Sequence, residues 1–371
     1  MVMGLAFIGC LTRPTPYFPQ ANGRGIAVCS FDAESGRLET IGIGTDVENP
    51  TWLAIDRAGS RLFACSEVFE WPEGTVTAFR IARDGTLTRC ADRPSHGSIT
   101  AYANLDRGET RLLVANYGLD APTRARDYGV AVFSVAADGS LGAVSALLSH
   151  AHFSRGPNAA RQERAHPHAV LPSPDNRFLL VADLGIDRVL AYRFDAASGT
   201  VESEPAASLA LAPGAGPRHL AFHPNGHWLF AINELDSTVA VIDFEGRSGG
   251  LQLLQRVSTL PLDFGSANDA CAIALTPDGR FLYATNRGHD SVAMFTVDAK
   301  SGALVARGHV ACGGRTPRCL TIDPKGHFAL VANQNSDNVT VFRIDPVTGG
   351  LSAIAPSLAI GTPMSIVFYP N

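Results

Sequence analysis

A chain of 371 residues that is 46% hydrophobic, with 36 Gly and 23 Pro, is too apolar to be disordered. Its 30 Lys+Arg and 35 Asp+Glu give a net charge of −5 with no basic run, which argues against nucleic acid or an anionic membrane as a partner. The seven cysteines show no CxxC and no paired spacing, so neither a disulfide framework nor a structural zinc site is expected, and reduced thiols in a cytoplasmic protein are.

The chain opens on MVMGLAFIGC, apolar and ending in Cys10. It lacks the basic start of a secretory signal, so Gly4–Cys10 is read as a strand. No segment approaches the roughly 20 apolar residues of a membrane span. A second apolar run follows at Ile26–Phe31. From Asn49 the sequence reads NPTWLAIDRAGSRLFACSEVFEWPEGTVTAFRI, and from Ile99 a similar unit begins with ITAYANLDRGETRLLVANY. Four stronger copies start at Pro167, Pro217, Cys271 and Pro317. The copy at Pro217 reads PRHLAFHPNGHWLFAINELDSTVAVIDF. Each copy holds an apolar run, a tight turn, a second run ending near Asn or Asp, a polar loop and a third run. The turn prolines Pro174, Pro224, Pro277 and Pro324 are 50, 53 and 47 residues apart.

The runs are short, β-branched and bounded by Gly, Pro, Asn and Asp, which is strand chemistry. A four-stranded unit repeated seven times along the chain predicts an all-β fold, a seven-bladed β-propeller of four-stranded antiparallel blades. Residues 1–371 form a single domain on this reading. At the C-terminus, PMSIVFYP (Pro363–Pro370) matches a first run, and its natural partners are at the N-terminus. One blade is therefore expected to be closed by both termini, which removes an open sheet edge.

In an antiparallel hairpin the start of the first run and the end of the second lie at the same mouth of the propeller. The first-run slot holds Thr51, Ala101, His168, Arg218, Cys271, Arg318 and Met364. The second-run slot holds Glu67, Tyr117, Leu184, Glu234, Arg287 and Gln334. Asn116 and Asn286 stand next to it; Asn favours turns, and these are also candidate ligand contacts. Arginines near a channel need anionic company, from Glu234 or from a ligand. Guanidinium groups suit a carboxylate or phosphate, and His168 and Glu234 suit proton transfer. Strand alternation aims His219 away from the channel, toward packing between blades. His166, two residues before His168, belongs to the approach loop and is a further candidate contact. His166 and His168 lack a third ligand, so no metal is expected. No GxGxxG follows a strand and no G-x-S-x-G elbow occurs, so neither a nucleotide cofactor nor a serine hydrolase is supported.

The segments HPHAVLPSPDNRFLLVADLGIDRV, GAGPRHLAFHPNGHWLFAINELDSTV, YATNRGHDSVAMF and TPRCLTIDPKGHFALVANQNSDNVTVF closely resemble the seven-bladed lactonase family. Its members include propeller-type 6-phosphogluconolactonases and a fungal relative, carboxy-cis,cis-muconate cyclase. The resemblance spans essentially the whole chain. It implies lactone chemistry without a required cofactor or metal, with a catalytic His, two Arg and a Glu. Motif by motif these fall on His168, Arg218, Glu234 and Arg287. The chain departs from the family pattern at Ala272, where a Glu is common, and in ITAYANLDRGE and FIGCLTRP, which puts the substrate in question more than the fold.

Three functions are weighed on these grounds. The first is hydrolysis of an anionic sugar lactone in the central channel, with Arg218, Arg287 and Arg318 on the anionic parts and Glu234 or His168 as general base. Alanine at His168 or Glu234 is then expected to leave a folded, inactive protein. The second is a muconate-type cycloisomerase acting on a dicarboxylate. The third is a binding propeller without catalysis. The enzyme readings imply a small-molecule partner and a monomer or weak homo-oligomer.

Overall fold

The turn that ends each first run shows why the repeat folds as it does. The third residue of the Pro-x-Gly/Asn turn takes a left-handed conformation at Asn176, Gly226, Gly279 and Gly326, with φ between 62° and 76°. Glycine or asparagine tolerates that region best. The residue before the proline locks the turn from the side. Ser173 Oγ accepts from the backbone of Arg177 and Phe178, and Asp323 Oδ1 accepts from His327 and Phe328. In the weaker copies Asp56 and Asp106 do the same work without the proline.

The computed structural model describes residues 3–44, 46–118 and 127–370. Their strands form seven antiparallel sheets arranged as the blades of a propeller. In blade 5 the strands run Pro217–Phe222, Trp228–Asn233, Thr238–Glu245 and Gly250–Ser258 from inside to outside. Blades 2, 3, 6 and 7 repeat this order, with inner strands Pro50–Ile55, Thr100–Leu105, Asp269–Leu275 and Pro317–Ile322. In blade 4, inner strand Pro167–Pro172, the outer position is divided between Thr200–Val201 and Ala207–Ala210. Blade 1 takes its inner strand, Pro363–Phe368, from the C-terminus and pairs it with Met3–Cys10. Gly9 lies so close to blade 2 that an added Cβ would sit 2.0 Å from the Pro50 carbonyl oxygen.

The apolar core lies between neighbouring blades. Phe230 and Ile232 of blade 5 pack on Leu282 and Ala284 of blade 6, and Ala6 and Ile8 of blade 1 cluster with Phe328 and Leu330 of blade 7. Each blade is thus covered on both faces by its neighbours. No helix among the described residues is long and apolar enough to cross a membrane.

All seven inner strands carry a β-bulge at the same point. In blade 5 Pro217 pairs with Asn233 and His219 with Ile232, which leaves Arg218 as the extra residue. The residues in excess elsewhere are Thr51, Ala101, His168, Arg318 and Met364, and in blade 6 Cys271 with Ala272. These are the first-run slots that the repeat picked out. A bulge re-aims a side chain and shifts the alternation that follows by one residue. His219 is corrected on that ground: it does not point into the packing between two blades. Its ring lies 4.9 Å from Trp52, 5.4 Å from Tyr102 and 5.4 Å from His168, centroid to centroid. Those rings come from blades 2, 3 and 4; blades 2 and 3 are not neighbours of blade 5, so His219 meets Trp52 and Tyr102 across the central channel. Trp52 and Tyr102 stack at 4.2 Å.

Candidate active site

At the mouth where the inner strands begin there is a cavity of about 220 Å³. The bulge slot supplies Ala101, His168 and Arg318 to its wall, and the second-strand ends supply Glu67, Tyr117, Glu234 and Arg287. Connections between strands complete it, with Tyr17 and Phe18 from 11–25, Phe69 from 67–74, and Arg161 from 149–166. Asp269 opens the inner strand of blade 6.

Glu234 is the electrostatic centre. Its Oε2 lies 2.9 Å from Arg218 Nε and 3.0 Å from Arg287 Nη2, and its Oε1 accepts from Arg161. Burial by itself would raise its pKa. Arg287, Arg161 and Arg218 outweigh that and hold the carboxyl well below the usual range. Glu234 is therefore a fixed anion and a poor proton acceptor near neutral pH.

Arg287 Nε and Nη2 and Arg218 Nε are buried without a hydrogen-bond acceptor in line, despite the nearby Glu234 oxygen. Buried guanidinium N–H groups in this state favour an anionic oxygen placed before them. Across the cavity Arg318 Nη2 lies 3.3 Å from Glu67 Oε2, with its guanidinium 4.8 Å from the Phe18 ring centroid.

His168 is 6% exposed, and its Nδ1 has no partner. Burial first, and then Arg218, push its pKa well below the ordinary histidine value. It is a neutral imidazole at physiological pH. His219 is depressed in the same way, by burial and then Arg218, and its ring nitrogens face Arg218 Nη1, Nε2 at 2.7 Å.

Five of the sequence candidates stand outside the cavity wall. Arg218 lies behind Glu234, where its Nη1 donates to the Cys271 carbonyl at 2.9 Å. Asn116 Nδ2 is taken up by the carbonyls of Ser95 and Tyr128. Asn286 bonds Thr259 with both ends of its amide. These two fasten loops, as asparagines at strand ends commonly do. Gln334 donates to Asn335 Oδ1. His166 stacks behind Tyr117 at 4.1 Å, with Nδ1 2.7 Å from the Tyr117 carbonyl. It backs a wall residue and does not form the wall. Cys271 donates from Sγ to the Arg318 carbonyl at 3.0 Å and so ties blade 6 to blade 7. Ala272 is buried in the packing between those two blades, away from the cavity. Among the described residues no three of His, Cys, Asp and Glu come together to hold a metal ion.

The repeat could not reveal Arg161, Phe18 or Phe69, because they sit on connections that the blades do not share. Length was the available signal: 149–166 is the longest connection between successive blades.

The depressed histidines have a consequence for stability. Near pH 6.5 the unfolded chain takes up protons on His168 and His219 that the fold refuses. Below that pH the unfolded state binds more protons, so stability falls as pH falls, by up to about 1.4 kcal/mol per unit for each group. The depressed Glu234 acts in the same direction once pH drops below about 4.3. Urea midpoints are expected to decline from pH 7.5 to 5.5 in the wild type, with a shallower slope in the His168→Gln/His219→Gln double variant.

Residues 6–368 match the profile of the family described as Lactonase, 7-bladed beta-propeller. The 6-phosphogluconolactonase of Bacillus subtilis (strain 168) is 31% identical over 324 residues, 87% of this chain and 86% of the relative. The periplasmic gluconolactonase of Pseudomonas aeruginosa superposes with a TM-score of 0.88 at 31% identity, covering 99% of each chain. A protein from Lactobacillus plantarum superposes at 0.87 with 29% identity, also over 99% of each chain. Blade count, terminal closure and a match along nearly the whole length agree: the chain belongs to the seven-bladed β-propeller lactonase family.

Proposed function

We propose that this protein hydrolyses an anionic sugar lactone in the cavity at the mouth of its central channel. The observation that carries the reading is a single cavity lined by a neutral, buried His168 and by Arg287, whose Nε and Nη2 have no hydrogen-bond acceptor in line. Water attacks the lactone carbonyl as His168 takes its proton, and the tetrahedral oxyanion forms against Arg287. The bond from the acyl carbon to the ring oxygen then breaks. Protonated His168 returns the proton to that oxygen, and the product is an open-chain hydroxy acid. Glu234 stays ionised and fixes the guanidinium groups of Arg161, Arg218 and Arg287. Of the two base candidates, Glu234 is engaged by three guanidinium groups whereas His168 Nδ1 has no partner, which favours His168.

The relatives' names supply two substrates to try, 6-phosphogluconolactone and gluconolactone. Both assays should be run, with a muconate-type dicarboxylate as the contrast for cycloisomerisation. His168→Gln is expected to lower kcat by about 10²- to 10⁴-fold with little change in melting temperature. Wild-type turnover in the variant, or no turnover of either lactone by the wild type, would overturn the reading. The seven free cysteines, none in a disulfide, support a reducing compartment such as the cytoplasm.

A further inference from the structure

Three guanidinium groups surround Glu234, and two of them belong to blades. Arg218 stands on Pro217–Phe222 and Arg287 on Phe281–Arg287. Arg161 comes instead from the connection 149–166. It reaches Glu234 Oε1 and lies 3.8 Å from Asp269 Oδ1. Its side chain is 29% exposed, against 3% for Arg218 and 12% for Arg287, so it is the most open of the three.

The connection that carries it is fixed without it. Gln162 Nε2 donates to the Leu184 carbonyl at 2.8 Å and to Asp187 Oδ1 at 2.7 Å. Gly156 donates to the Gly185 carbonyl at 2.9 Å. His150 pairs with Asp183 at 2.7 Å, both side chains fully buried. Replacing Arg161 removes a charge from a loop that keeps these anchors.

The charges around the cavity show what that one contributes. On the cavity wall Arg161, Arg287 and Arg318 oppose Glu67, Glu234 and Asp269, three cations against three carboxylates. Arg318 is engaged by Glu67 and covered by Phe18. Arg218 is behind the wall, bonded to Cys271. Without Arg161 the wall holds two cations against three carboxylates and is net anionic.

We propose that Arg161 is the specificity residue of this cavity: it balances the carboxylates of Glu234 and Asp269, which would otherwise repel an anionic substituent, and so lets the cavity select an anionic lactone over its neutral counterpart. The assignment rests on the lactonase reading and adds to it the residue that sets substrate charge. A guanidinium suits a phosphoryl or carboxylate group through paired N–H donors, and a lysine replaces only its charge.

The test compares wild type, Arg161→Gln and Arg161→Lys on 6-phosphogluconolactone and on gluconolactone. It also measures binding of 6-phosphogluconate by titration calorimetry at two salt concentrations, which needs no turnover. Arg161→Gln is expected to lose about 10- to 100-fold in kcat/KM and in affinity for the phosphorylated ligands. Its loss on gluconolactone should be at least about tenfold smaller than its loss on 6-phosphogluconolactone, its salt dependence should flatten, and Arg161→Lys should fall between. An unchanged preference in Arg161→Gln, or an equal loss on both lactones, overturns the assignment while leaving lactonase activity standing. If the wild type turns over neither lactone, the lactonase reading falls and calorimetry still decides. Equal 6-phosphogluconate affinity in wild type and Arg161→Gln, or none in the wild type, then overturns the role of Arg161.

Discussion

Glu234→Ala is expected to lower the free energy of unfolding by about 3–5 kcal/mol and to abolish turnover. The carboxylate is 2% exposed and lies against Arg161, Arg218 and Arg287. Removing it leaves guanidinium groups close together without their counter-ion, two of them nearly enclosed. Removing one partner of a buried ion cluster costs far more than the cluster adds to stability. This revises the expectation from sequence, in which the alanine variant folds normally and only activity is lost. Urea denaturation at pH 7.5 measures the change. Glu234→Gln separates charge from shape: it keeps an acceptor for the arginines, so its loss of stability should be the smaller of the two. A Glu234→Ala variant as stable as the wild type would show that Glu234 is not the anchor of these arginines.

The second large effect concerns closure. Deleting residues 361–371 removes the inner strand of blade 1, Pro363–Phe368, and its ladder with Ala6–Cys10. Met364 and Ile366 are 1% and 3% exposed, and burying two such side chains is worth about 3–6 kcal/mol. The deletion also uncovers an inner edge of Met3–Cys10 and the faces of blades 2 and 7 that pack on it. With the lost ladder the cost approaches the about 5–15 kcal/mol of a whole domain. The truncated chain is expected to be unfolded or aggregated, with loss of near-ultraviolet circular dichroism and no cooperative melting transition. A cooperative melt within a few degrees of the full chain would mean that the blade does not need its C-terminal strand.

Much of this was legible in the sequence because the determinants are local. The P-x-G and P-x-N turns, the β-branched runs and the near-regular spacing defined strands, blades and closure. Slot equivalence also located the mouth: His168, Arg318, Glu67, Glu234 and Arg287 all reach one cavity. His219 and Arg218 show where that reasoning stops. Counting alternation from Arg218 sends His219 outward, but the bulge adds a residue and turns its ring into the channel. The same rule placed Arg218 on the wall, whereas its guanidinium lies behind Glu234. For Asn116 and Asn286 the turn preference that the sequence offered as one alternative matches the loop bonds they make.

The sequence by itself determined the repeat, the blade count and the circular closure, because each is written in turn chemistry and apolar periodicity over a few residues at a time. Which nitrogen meets which oxygen was decided only in the tertiary structure. Glu234 meets Arg161 across 73 residues, and Arg318 meets Glu67 across 251. Such contacts depend on bulges that re-aim single residues toward one mouth and on loops of unequal length folding over it. A pattern that repeats every blade carries no record of the residues that break it, and the charged wall of this cavity is made largely of those.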